Sequence, residues 1–148
     1  MPIGMNSAKT ISVLNQLVRL HNRSLVSYLC YAPPTWHVGD EQARTTLALI
    51  AAQQKEIVDR AGELVVEQSG VVDYGAYPMF YTGFHDLSFE FLLGQLLTEQ
   101  GNSIHALDEC VARSEGSPRV SELAEEALGM AKGHLESLRE LKSVSTDA

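Results

Sequence analysis

A chain of 148 residues is long enough to bury one core without a metal or a disulfide to hold it together, and short enough that nothing demands a second domain. A formal net charge of −8 with no Lys/Arg cluster excludes a nucleic-acid partner, since phosphate binding needs a basic stripe. With hydrophobic residues at 45% and charged residues at 20%, neither disorder nor a membrane class is indicated.

The opening MPIGMNSAKT lacks the apolar core of a secretory signal, and apolar runs are broken well short of a bilayer span. A cytoplasmic, soluble protein is therefore expected. Residues 1–7 read as a loose terminus, with Asn6 or Ser7 available as a helix N-cap. The stretch ISVLNQLVRLHNRSLVSYL follows. Leu14, Leu17, Val18, Leu25 and Tyr28 recur at three- and four-residue spacing without Gly or Pro, which predicts one helix over about 8–31. His21 falls inside that apolar stripe, where a titratable ring needs a hydrogen bond, a metal or a wet pocket.

Pro33 and Pro34 end the first helix. Asp40 is an N-cap candidate for a second, over about 41–69, with Leu47, Ile50, Gln54, Ile57, Ala61 and Leu64 on its stripe and Gln54 as the polar intruder. Gly70 is the expected stop. Residues 70–86, GVVDYGAYPMFYTGFHD, hold glycines, a proline and aromatics without helical spacing, which predicts a long crossover packed onto the body.

Asp86 or Ser88 can cap a third helix over about 87–114. Its stripe of Phe89, Leu92, Leu93, Leu96, Ile104, Leu107 and Val111 lapses at TEQGNS, where Glu99, Gln100 and Ser103 occupy or border it. Ser117 before Pro118 opens a fourth helix over about 118–143, with His134 among Leu128, Ala131, Leu138 and Leu141. The final SVSTDA reads as a frayed tail.

Short turns make the first helix antiparallel to the second and the third antiparallel to the fourth, while the long connection carries the chain back to the starting end. This predicts an all-α antiparallel four-helix bundle with a long crossover between the second and third helices, as one domain over 1–148. At about 1.5 Å of rise per residue, His21, Gln54, Glu99 or Gln100, and His134 fall at similar heights. One polar residue per helix converges on a single layer.

The chain resembles the ferritin-like superfamily, in particular its bacterioferritin and rubrerythrin branches, through LNQLVRLHNRSLVSYLCYA, AAQQKEIVDRAGELV, the crossover and GMAKGHLESLREL. The resemblance implies a di-iron or di-manganese site with one Glu each from the first and third helices and Glu-x-x-His from the second and fourth. Carried over by position, His21 stands where the first-helix Glu belongs. Gln54 and Ile57 stand at the second-helix Glu and His positions, and Glu99 or Gln100 at the third-helix Glu. Ala131 takes the fourth-helix Glu position, and only His134 is kept.

A di-metal centre needs about four carboxylates, so ferroxidase or peroxidase chemistry is not expected and a structural or binding role is. Two readings of the layer stay open. One is a hydrogen-bonded network that fixes helix register. The other is a metal site of His21, Glu99 and His134 for one zinc or iron ion, with Gln54 and Gln100 as supporting partners. The resemblance and the aromatic crossover also imply a homodimer.

The remaining chemistry is sparse. His37, His85 and His105 lie in loops or on a helix flank and read as exposed or locally bonded. Cys30 and Cys110 form no CxxC and read as core or near-surface residues. Trp36 reads as a plug over one bundle end. A histidine phosphotransfer module would need an exposed histidine beside Lys or Gly, whereas Leu17, Val18 and Leu25 flank His21. Nor does the spacing supply the three convergent histidines of DinB-like metal bundles.

Overall fold

The computed structural model describes residues 6–84 and 86–146; His85, most of the proposed loose N-terminus and the last two residues of the expected tail lie outside them. Among the described residues the chain is all-α. It contains α1 (Ser7–Asn22), α2 (Leu25–Tyr31), α3 (Glu41–Glu67), a 3-10 turn (Met79–Gly83), α4 (Phe89–Arg113) and α5 (Pro118–Thr146). An isolated parallel bridge between Thr35 and Ser88 ties the α2–α3 connection to the start of α4.

The first predicted helix is two helices. At Ser24 the backbone is extended, and the Ser24 hydroxyl accepts a hydrogen bond from the Ser27 amide at 3.0 Å. A serine that satisfies an orphan amide outside the helix offers the backbone an alternative to continuing it. Asn6 caps α1 through the Lys9 amide at 2.8 Å and Ser88 caps α4 through the Phe91 amide. Asp40 stands at the N-cap of α3 but caps nothing, because its carboxylate accepts from the His37 amide at 2.8 Å. At the far end α5 continues past residue 143 to Thr146, so four residues of the expected tail are helical.

Cross-helix bonds fix the directions. Ser7 reaches Gln68, Ser24 reaches Gln54, and the Cys30 thiol reaches the Leu47 carbonyl, so numbers rise along α1 and α2 as they fall along α3. The same opposition holds between α3 and α5, where Glu67 pairs with Arg119, Arg60 with Glu126 and Gln53 with His134. Arg113 of α4 bonds Ser12 and Gln16 of α1, and Gln100 of α4 bonds the Ala131 carbonyl of α5.

The crossover runs along the outside of α1 toward α2. Asn15, buried in α1, donates to the Val71 carbonyl at 3.0 Å and accepts from the Asp73 amide at 2.9 Å. Arg19 pairs with Asp73 at 2.9 Å and Asn22 donates to the Tyr74 carbonyl. Tyr77 then meets Tyr28 edge-on at 5.0 Å, and Tyr81 is buried. The connection is thus packed down, first by polar bonds and then by aromatics.

The apolar residues form two clusters. One gathers Val13, Leu14, Leu17, Ile57, Ala61, Leu107 and Ala124; the other gathers Leu25, Leu29, Leu47, Ile50, Leu92, Leu96 and Leu138. Trp36 is half-buried at the second cluster, stacked on Phe89 at 5.4 Å, with the Arg44 guanidinium over its ring at 5.7 Å from the centroid. His21, Gln54, Gln100 and His134 are all buried and fall in sequence between the residues of the two clusters. No described helix is long and apolar enough to cross a membrane.

Candidate functional site

The layer between the clusters encloses a cavity of about 10 Å3 lined by His21, Gln54, Gln100, Ser103 and His134, with Leu20, Leu107, Met130 and Ala131 as apolar walls. That is about the space of one water molecule. Four helical segments build it, because each places one polar residue inside an otherwise apolar stripe.

His21 lies with Nδ1 at 2.7 Å from the Leu17 carbonyl oxygen one turn back. A carbonyl only accepts, so Nδ1 carries the proton and Nε2 keeps a lone pair. Burial drives the His21 pKa down to about 4, opposed by the Leu17 carbonyl and assisted by the nearby His134. The ring is therefore neutral at pH 7. His134 bonds Gln53 Oε1 through Nε2 at 2.6 Å, and burial lowers its pKa too.

The two carboxamides are each half used. Gln54 Oε1 accepts from the Ser24 hydroxyl at 2.6 Å, which leaves its NH2 group to donate. Gln100 Nε2 donates to the Ala131 carbonyl at 3.0 Å, which leaves Oε1 to accept. The layer thus carries no formal charge. It presents one amide donor, one amide acceptor and the unprotonated nitrogens of two imidazoles.

Glu99 lies elsewhere. It lines a separate open pocket with Arg23 and Tyr81 and faces the Tyr81 phenol, whose pKa burial and the Glu99 charge raise to about 12. Of the expected metal ligands, His21 and His134 share the cavity and Glu99 does not. Among the described residues no three His, Cys, Asp or Glu side chains come close enough together to hold a metal ion. Ile57, at the position matched to a ligand histidine, is fully buried in the first apolar cluster.

Ser24 and Gln53 belong to the layer's bonding and carried no signal in the sequence beyond a serine after Asn22-Arg23 and a glutamine beside Gln54. Neither cysteine is activated. Burial pushes Cys110 to about 11 and raises Cys30, so both stay as thiols at neutral pH. His37 and His105 are exposed. Compared with protein-family models, with curated proteins and with solved structures, the chain matches none.

Proposed function

We propose that this chain is a ferritin-like four-helix bundle whose central layer fixes helix register through hydrogen bonds, and that its role is structural or binding instead of oxidative. The donor set is the observation that carries the reading. Two neutral imidazoles and two carboxamides surround the cavity, with no carboxylate among them. A pair of hard cations needs about four carboxylates to neutralise and bridge it, so these residues do not fit a di-metal centre. The helix directions and the long crossover beside α1 support the architecture.

A second reading, one zinc or iron ion, is favoured by a single feature: both neutral rings line the same cavity and each keeps one unprotonated nitrogen. Elemental analysis of protein purified without added metal, then after exposure to zinc or iron(II), separates the two. Less than about a tenth of an equivalent is expected. About one equivalent, lost in both His21→Ala and His134→Ala, would establish the single-ion reading. The same proposal includes a cytoplasmic homodimer, with exposed Tyr74, Met79 and Phe80 offering apolar surface on the crossover; a monomer mass by light scattering removes the dimer.

A further inference from the structure

A second cavity, open to solvent and of about 320 Å3, lies one wall away from the polar layer. Its size is within the range of small-molecule sites, about 300–1,000 Å3. Leu20 and Ser103 line both cavities, so they form the partition between them.

The open cavity carries one cation and one anion, Arg23 and Glu99, which do not pair with each other. Arg23 is exposed and makes no ion pair among the described residues. It sits at the break between α1 and α2, with φ −109° and ψ 24°, beside Gly75, where an added Cβ would stand 3.3 Å from Arg23 Cδ. The crossover therefore packs on its aliphatic stem. Glu99 shares the lining with the buried Tyr81, and its charge acts on the Tyr81 phenol. Leu20, Pro78 and Ala106 add apolar wall, and Asn102 and Ser103 add polar groups.

This charge pattern is selective. A simple anion would meet Glu99, a simple cation would meet Arg23, and a neutral apolar molecule would desolvate both without pairing either. A ligand with both charges satisfies each by a charge-assisted hydrogen bond. We propose that this cavity binds a small zwitterion of the α-amino acid class, with its carboxylate on the Arg23 guanidinium, its ammonium on Glu99 and an apolar side chain against Leu20, Pro78 and Ala106. The proposal does not depend on the ancestry or the metal content of the bundle.

Titration of the 15N-labelled full chain with L-leucine tests it, beside L-leucinamide, which keeps only the cation, and 4-methylpentanoate, which keeps only the anion. Saturable shifts of the Asn102 and Ser103 amides are expected with L-leucine, with at least about tenfold weaker binding of either truncated probe. Arg23→Gln and Glu99→Gln should each weaken L-leucine by a similar factor. Arg23 is exposed, so the Arg23→Gln spectrum should otherwise match that of the parent and decides the matter even if Glu99→Gln perturbs folding. No saturable shift up to about 10 mM L-leucine, equal binding of the three probes, or undiminished binding to a folded Arg23→Gln protein would overturn the assignment.

Discussion

Ser69 holds a φ of +60° at the end of α3, while the glycine that could hold it without strain is one residue further on. The helix closes there by two bonds, Gly70 N to the Val65 carbonyl and Ser69 N to the Val66 carbonyl, each 2.9 Å, and this motif puts its left-handed residue at Ser69. Gly70 is needed for a different reason: a Cβ there would come 2.8 Å from Ile11 Cδ1 and 3.0 Å from Ile11 Cγ1. Ser69→Gly should therefore stabilise the chain by about 0.5–1 kcal/mol, the relief of left-handed strain less the extra freedom of the unfolded glycine. Gly70→Ala should cost about 1–3 kcal/mol as an overpacked contact. Urea unfolding midpoints measure both, and a neutral Gly70→Ala would mean that Ile11 moves aside freely. The expectation of a stop at Gly70 found the place and misassigned the residue, because backbone freedom and lack of bulk leave the same letter in a sequence.

The break between α1 and α2 shows the same limit at the level of an element. Leu14, Leu17, Val18, His21, Leu25 and Tyr28 keep helical spacing straight through Arg23 and Ser24, so apolar periodicity cannot reveal the interruption. The decisive information is in the hydrogen bonds of Ser24, which accepts from the Ser27 amide and donates to Gln54. Ser24→Ala removes a cap worth about 1 kcal/mol and leaves the Gln54 carbonyl without that donor, a further cost of about 1–3 kcal/mol. The loss should shrink in Ser24→Ala/Gln54→Leu, where neither partner is left unpaired. Equal losses in single and double variants, by chemical denaturation, would detach Ser24 from the central layer. Asn15 is a second residue of this kind: a buried amide on α1 reads as an irregularity in the stripe until Val71 and Asp73 are seen to bond it.

Across the whole molecule, three corners of the polar layer were legible as polar residues in apolar stripes, and His21, Gln54 and His134 do line one cavity. The fourth was not, because Glu99 and Gln100 differ by only about a quarter of a helical turn inside a polar run, and only the packing of α4 on α5 turns Gln100 inward. That choice keeps the layer uncharged, and its neutrality makes stability depend on pH. The unfolded His21 titrates near 6.5 and the folded one near 4, so between those values the unfolded chain binds the extra proton. The contribution of His21 is then complete above about pH 6.5 and is lost as the pH falls toward about 4, by at most about 3–4 kcal/mol at roughly 1.4 kcal/mol per unit. His134, lowered by burial as well, acts in the same direction. Urea midpoints at pH 7.5, 6, 5 and 4.5 should decline across this window, and the decline should be shallower in His21→Leu, which fills a similar volume and cannot titrate. Carboxylates such as Glu126, whose pKa the Arg60 hydrogen bond lowers, contribute their own acid loss to both proteins, so the difference between the two curves isolates the imidazole. Parallel curves from pH 6.5 to 4.5 would show that His21 accepts its proton without disturbing the fold, and hence that the layer is wetter than a cavity of about 10 Å3 allows.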